Sequence, residues 1–370
     1  MALKLVDDPL VRPAGPARVA QIKGSRRHVR YDAPVLVTKT VYSLYLPETR
    51  AVVDALWAER PHAMYERNYE RGQDAMHEPF LAAWRSFVTT GGVRMPSDAG
   101  HMVPTAGASE GIFAVMAALA TGQLGAMRAV HAPKIHVLEG EYEGYGHVAA
   151  AVAMPTVVHP HGDDALRDSL RASVVDGDVF FVSAPSAVDG NVWSGLGALL
   201  RWVSESLPEL RVVVDLTYVG CVDRPIALDL DVPAVAVVLG SSSKPFGVYY
   251  HRIGALWSRD PIASLYGNLW FKNLFSLELG RRLLTAFGPT ELPRRHRALQ
   301  AAALRCAIEA GDLPADAATS DVLMLAHARL DRCPESLAPY RRVRTGEGGV
   351  LRFCLSPAID AALVREDASR

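Results

Sequence analysis

Ser241-Ser242-Ser243-Lys244-Pro245-Phe246-Gly247, followed by Arg252-Ile253-Gly254, is the stretch on which the fold and function of this chain turn. Of the 39 lysine and arginine residues only six are lysine, at positions 4, 23, 39, 134, 244 and 272. A chain that uses arginine for generic positive charge needs a specific reason to place a lysine in a Ser/Gly-rich loop. A lysine amine can lose its proton and act as a nucleophile, which a guanidinium cannot. The apolar run 235–239 predicts a buried strand, so Lys244 stands just past a strand's carboxyl end, where ligands bind in open α/β sheets. Ser241, three residues before the lysine, and Arg252, eight after it, suit an anionic phosphate beside an aldehyde.

Composition narrows the classes. A chain of 370 residues, 49% of them hydrophobic, can bury a large core, and its length suggests two or three domains. The formal net charge is −1 and no basic run stands out, so neither nucleic acid nor an anionic membrane is an expected partner. Cysteines 221, 306, 333 and 354 form no CxxC pair and read as reduced core thiols. The first residues hold no continuous apolar segment of signal-peptide type. The longest apolar stretch, 112–120, is too short to span a bilayer. A cytoplasmic enzyme is the expectation. Histidines 131, 136, 147, 159 and 161 crowd one region, but His159-Pro160-His161 is not a metal-ligand spacing and no carboxylate or thiol set completes it, so no metal is expected.

Residues 1–45 read as an irregular arm with a basic cluster at Arg26, Arg27 and Arg30. Helical spacing starts at Leu46 and runs to Trp57. Gly107 and the small residues around it open a helix over 112–120. Such a turn is an anion site because free N–H groups point outward, although Thr105 or Ser109 could equally serve as an ordinary cap. Strands are then predicted over 134–138, 156–159, 178–183 and 210–215, alternating with helices over 142–152, 163–173 and 195–207. That alternation signals a largely parallel sheet with helices on both faces. No GxGxxG occurs, which argues against a dinucleotide fold. Residues 260–310 look helical, with Arg281, Arg282, Arg294, Arg295 and Arg297 on solvated faces and a helix from about Leu299 broken by Pro314. A strand or helix near 322–326, a strand over 350–355 and a short last helix complete a small α+β domain.

The lysine segment resembles that of the fold-type I, pyridoxal-phosphate-dependent aminotransferases (class I/II, aspartate aminotransferase-like). Four further motifs fall in the family's order between about Thr105 and Arg352. The resemblance implies that Lys244 carries pyridoxal 5'-phosphate as a Schiff base, while Ser241, Ser243 and Arg252 hold its phosphate with the N–H groups of Ala108 and Ser109. It implies that Tyr142, in Glu141-Tyr142-Glu143-Gly144-Tyr145, stacks on the pyridine ring. Asp215, in Asp215-Leu216-Thr217-Tyr218, would pair with the ring nitrogen, and Tyr218 would donate to the phenolate oxygen. Tyr69, before Gly72, would reach the phosphate held by the partner subunit of a homodimer. Arg352, inside an apolar strand, either pairs with a structural carboxylate or, as the resemblance implies, forks onto a substrate α-carboxylate.

One departure stands out. Where the family usually shows Asn-Pro-Thr-Gly, this chain reads Ala184-Pro185-Ser186-Ala187-Val188-Asp189-Gly190-Asn191. Ala187 then occupies the asparagine's place and cannot donate to the phenolate oxygen unless Asn191 reaches round. The expected fold class is therefore α/β: a PLP-transferase fold type I with a large domain over 46–285, whose mostly parallel mixed sheet is flanked by helices, plus a small α+β domain over 286–370. The implied activity is aminotransferase-like chemistry at Cα of an amino acid. The missing asparagine moves weight toward β/γ-elimination, replacement or cyclisation, as in arginine-cyclising or S-adenosylmethionine-using relatives.

Overall fold

Short runs of β-branched and aromatic residues alternate with amphipathic helices along most of the chain, and the fold follows from burying both sets at once. The computed structural model describes residues 36–59, 66, 74–98, 100–122, 132–267, 269, 272–330, 334–343 and 349–368. Tyr69 and the basic cluster at Arg26, Arg27 and Arg30 lie outside these. In chain order the strands are β1 (Val93–Arg94), β2 (His101–Thr105), β3 (Ile135–Leu138), β4 (Thr156–His159), β5 (Val179–Ser183), β6 (Arg211–Asp215), β7 (Leu228–Asp229), β8 (Val235–Ser241), β9 (Gly254–Ser258), β10 (Ala318–Thr319), β11 (Leu325–Leu330), β12 (Arg341–Val343) and β13 (Gly349–Cys354).

Seven strands form the central sheet in the order β2-β9-β8-β6-β5-β3-β4. β4, β3, β5, β6 and β8 are parallel, and β9 runs antiparallel to both β8 and β2. Because both faces are covered, the central strands are largely apolar: all five residues of β5 are buried and only its last, Ser183, is polar. Alternate side chains go to opposite cores. Phe180, Val182, Val212 and Val214 face one core cluster, while Val179, Phe181 and Val213 face the other with Ile112, Val115 and Leu119 of the helix Ala108–Ala120. Each fully buried phenylalanine contributes roughly 2–3 kcal/mol of transfer free energy.

Strand register then decides where the chemistry collects. Ser183 at the end of β5 is the register partner of Asp215 at the end of β6. Ser241 at the end of β8 faces Gly254 at the start of the reversed β9, and Gly254 faces Thr105 at the end of β2. One end of the sheet thus carries the carboxyl ends of β2, β5, β6 and β8 and the start of β9.

A second, four-stranded antiparallel sheet, β10-β11-β13-β12, lies within the same compact unit of residues 36–370. Cys354 at the end of β13 exchanges backbone hydrogen bonds with Thr38 (3.0 and 2.9 Å). Several sequence expectations shift here. The long helix is Glu291–Glu309, so it starts about two turns before Leu299 and ends short of Gly311 (φ +78°), well before Pro314. The ambiguous segment at 322–326 takes its strand alternative in part: Val322 forms a β-bridge with Val222, a two-residue turn follows, and Leu325 and Ala326 open β11. Arg297 is not on a solvated face: its guanidinium donates to the carbonyls of Ser320 (3.0 Å) and Asp321 (2.7 Å) and to the carboxylate of Asp223 (3.0 Å). Helical periodicity marks this position as polar, but the loop that supplies those carbonyls comes from more than twenty residues away.

Candidate active site

Gly107 sits at φ +80° and caps the helix Ala108–Ala120 without any side-chain hydrogen bond, so neither Thr105 nor Ser109 acts as the cap. A helix N-terminus left this way offers N–H groups and the positive end of the helix dipole to an anion. A Cβ built on Gly107 would lie 2.6 Å from Nη2 of Arg252 and 3.6 Å from Oγ of Ser241, so guanidinium and hydroxyl hang directly over the turn. Arg252, itself at φ +51°, is held there by donating to the carbonyls of Ala106 (2.9 Å) and Tyr249 (3.3 Å). Ser241 Oγ donates to Ser243 Oγ (3.0 Å) and accepts from the Ser243 N–H (3.1 Å). Close approach of the strands is required as well: a Cβ on Gly254 would fall 2.7 Å from Gly107 Cα.

Lys244 lies in the single helical turn Ser243–Phe246, which Gly247 ends in the left-handed region (φ +69°). Its Nζ donates to the carbonyl of Val41 at 2.5 Å, tying the loop to the segment 40–43. Burial pulls the Lys244 amine below its ordinary pKa. Asp215, only 5% exposed, ends β6. Its Oδ1 accepts from the N–H (2.9 Å) and hydroxyl (2.5 Å) of Thr217, and its Oδ2 accepts from the Tyr145 hydroxyl (3.0 Å). Burial outweighs those hydrogen bonds and pushes the carboxyl up to about 6. With no cation beside it, a carboxylate in this position is costly.

Tyr142 caps the helix Glu143–Ala151, and its ring meets that of Tyr145 edge-on at 5.4 Å. Burial, then the charge of Asp215, pushes the Tyr142 phenol up. Tyr218 is buried, and that burial raises its phenol too. Arg352, 5% exposed on β13, has no carboxylate partner among the described residues. Its Nη1 donates to the Ala187 carbonyl, and its Nε is buried without a partner.

These groups meet in one cavity of about 660 Å³, whose lining includes Lys244, Asp215, Arg352, Tyr142 and Tyr218. At its other end stand Ala108, Ser109, Ser241, Ser243 and Arg252. Every expected site residue within the described chain is therefore brought together. Ala187 lines the cavity, and its backbone is what it contributes: the N–H donates to Ser183 Oγ (2.7 Å) and the carbonyl accepts from Arg352. Asn191 does not reach round. Its amide donates to Asp189 (3.0 Å) and accepts from the Asp321 N–H (3.0 Å), behind the loop.

Two residues escaped sequence reading. Tyr145 positions Asp215, and its own phenol is raised well above the ordinary value by burial and by that carboxylate. Glu141, buried, accepts from the Ser183 hydroxyl (2.6 Å) and N–H (3.2 Å) and from the Tyr142 N–H (2.9 Å). It thereby links the Tyr142 turn to the loop under Arg352. Both stand beside Tyr142 in a segment already singled out, but nothing in their spacing says which strand end they meet. Of the crowded histidines, His136 and His159 form a buried chain: Asp178 to His136 (2.8 Å), His136 to His159 (2.8 Å) and His159 to Ser169 (2.9 Å). His147 lines the cavity, His161 meets the Glu139 carbonyl (2.6 Å) and His131 lies outside the described residues. Among the described residues no group of three His, Cys, Asp or Glu side chains is arranged to hold a metal ion, and no helix is long and apolar enough to cross a membrane.

No family model and no curated protein matches the sequence. Solved structures do match the fold. A PLP-bound C-S lyase from Staphylococcus hominis aligns with a TM-score of 0.63 at 14% identity, over 92% of this chain and 97% of that one. Histidinol-phosphate aminotransferase from Clostridium acetobutylicum gives 0.60 at 12% identity, over 88% and 98%. L-threonine-O-3-phosphate decarboxylase from Porphyromonas gingivalis gives 0.57 at 15% identity, over 89% and 100%. A mostly parallel seven-stranded sheet with one reversed strand, sheathed by helices and aligned nearly end to end with these enzymes, gives this chain the PLP-transferase fold of type I.

Proposed function

We propose that this chain is a pyridoxal-phosphate-dependent enzyme acting at Cα of an amino acid. One observation carries the proposal: a desolvated lysine amine, a buried aspartate and an anion-type turn, contributed by different strand ends, share one cavity. The residues fit the cofactor. The turn over Gly107, roofed by Arg252 and Ser241, would take its phosphate. Lys244 would hold its aldehyde, Tyr142 would cover its ring and Asp215 would pair with the ring nitrogen. Tyr218 would donate to its phenolate oxygen.

When bound, the cofactor supplies an aldehyde that condenses with amines and a ring that withdraws electrons from the substrate's Cα. The chain's own groups do the rest. Burial leaves more of the Lys244 amine neutral than free lysine would be, which suits it both to condense and to move the Cα proton. A cation at the ring would bring Asp215 back to its ionised form, and Tyr145 and Thr217 hold that carboxylate in place. Arg352, with its Nε unpartnered and its Nη1 on a mere carbonyl, would receive the substrate carboxylate as a fork. The large domain over 46–285 would thus bind the cofactor, and the small domain over 286–370 would present Arg352.

Transamination is the simplest outcome. Elimination, replacement or cyclisation is the second reading, favoured by Ala187, which offers no side-chain donor where one is expected, and by Asn191, which is engaged elsewhere. We further propose a homodimer, for which the exposed Trp57 and Phe113 leave apolar surface, working in the cytoplasm, where the free thiols of Cys221, Cys306 and Cys354 suit a reducing medium. The test is absorbance of the purified protein with added cofactor. The wild type gains the visible band of an amine-bound cofactor and Lys244→Ala does not; a band that persists in the variant sinks the assignment.

A further inference from the structure

We infer that the substrate's side chain carries a positive charge, an ammonium or guanidinium group, and that Glu143 recognises it. The inference rests on the function proposed above. Five ionisable side chains of Asp, Glu, Lys or Arg line the cavity: Glu143, Asp215, Lys244, Arg252 and Arg352. The last four are used by the cofactor's ring, aldehyde and phosphate and by the substrate's α-carboxylate. Glu143 alone is left to face whatever the side chain brings.

Its placement supports that role. Glu143 follows Tyr142 and opens the helix Glu143–Ala151, with His147 one turn further along the same cavity wall. Burial raises its carboxyl pKa, but its own backbone N–H and the guanidiniums of Arg342 and Arg352 outweigh this and hold it below the ordinary value. Arg342 donates to Glu143 at 3.0 Å, yet Arg342 does not line the cavity. It is 8% exposed and is spent on the carbonyls of Gly140 (2.8 Å) and Glu141 (2.9 Å). Arg342 therefore anchors the carboxylate from behind while the Glu143 side chain stays 53% exposed.

The neighbouring walls agree. Tyr42, Tyr249 and Tyr250 line the same cavity, and each keeps at least 42% of its surface exposed. The faces of phenol rings attract cations and gain little from anions. An acidic side chain would meet Glu143 as a like charge, and an aliphatic one would desolvate it without compensation.

The test uses the cofactor-loaded enzyme and two readouts, calorimetric affinity and change in cofactor absorbance, for L-arginine, L-ornithine, L-leucine and L-glutamate. One of the two basic amino acids binds about tenfold or more tighter than leucine, the scale of one charge-assisted contact. Arginine ahead of ornithine identifies a guanidinium, and the reverse an ammonium. Glu143→Gln, which keeps the size and can still accept from Arg342, removes most of that advantage while the leucine affinity stays within about twofold. Glu143→Lys turns the preference toward glutamate. Leucine or glutamate binding as tightly as both bases, or Glu143→Gln weakening all four alike, overturns the inference and leaves the proposed function standing. A loaded enzyme whose absorbance responds to no amino acid of any class, glycine and alanine included, overturns both.

Discussion

At the scale of the residue, burial moves Lys244, Asp215 and Tyr218 away from their ordinary titration. Asp215 has a carboxyl raised from 3.8 to about 6 by burial. In the cofactor-free protein such a group favours the protonated fold, so its contribution to stability is present below about pH 4 and lost as pH rises through about 6. The difference is of order 3 kcal/mol. Asp215→Asn should therefore melt higher than the wild type above pH 6 in the cofactor-free state, and lose that advantage near pH 4. Melting curves from pH 4 to 8 check this, and a difference independent of pH contradicts it. The loaded enzyme should show the reverse at neutral pH, because the variant loses the ring's counter-charge. Arg352→Lys keeps the charge and loses the fork. It should raise KM for the amino acid by about 10–100-fold, the worth of one charged hydrogen bond, and leave cofactor absorbance unchanged. Steady-state kinetics beside a spectrum separates the two effects.

At the scale of the element, the turn between β2 and the helix Ala108–Ala120 does the most specialised work. Gly107 is needed twice over: its φ of +80° disfavours any side chain, and the space a Cβ would fill belongs to Arg252. Gly107→Ala should cost about 1–3 kcal/mol in backbone strain, since φ +80°, ψ 174° is a region only glycine adopts readily, and displace the guanidinium. Affinity for pyridoxal 5'-phosphate should fall about tenfold or more, while affinity for pyridoxal, which lacks the phosphate, should hardly change. Equal losses for both ligands would show that the turn does not bind phosphate. Motif spacing makes this turn legible because glycine, small residues and an apolar helix follow one another directly. The alternative reading, an ordinary cap by Thr105 or Ser109, fails because neither side chain bonds the first helical N–H groups, which on the proposed function would receive the phosphate.

At the scale of the whole molecule, the segment entering the small sheet is tied to the helix Glu291–Glu309 by a buried amide beside the Arg297 guanidinium. Gln300 Nε2 donates to the carbonyls of Ser320 (3.1 Å), Val322 (3.1 Å) and Leu325 (2.7 Å). Each of these carbonyls keeps a second donor, the Arg297 guanidinium, the Leu325 N–H and the Ser320 N–H respectively. Gln300→Ala therefore removes three buried hydrogen bonds without stranding an acceptor and should cost about 1–3 kcal/mol, read as a lowered urea midpoint. A shift under about 0.5 kcal/mol would mean that water or Arg297 replaces the amide.

Much of this architecture is written in local order. Alternating short β-rich runs and helices suffice for a parallel, two-sided sheet, because a strand buried on both faces has to be apolar through its middle, as Val179–Val182 of β5 and Val212–Val214 of β6 are. Lys244, Asp215 and Arg352 are legible for a related reason: each is a polar or charged group at the end of, or inside, an apolar run, where desolvation demands a purpose. Distance in sequence hides the rest. Tyr145 touches Asp215 across 70 residues, Glu141 touches Ser183 across 42, and Arg352 touches Ala187 across 165. Such pairings have no period and no spacing. They exist because strand register sets Ser183 beside Asp215 and Ser241 beside Gly254, and only the folded sheet supplies that register. Residue order specifies which chemistry the chain carries. Packing alone decides which groups hold it in place, that Ala187 contributes its backbone, and that Asn191 is turned away.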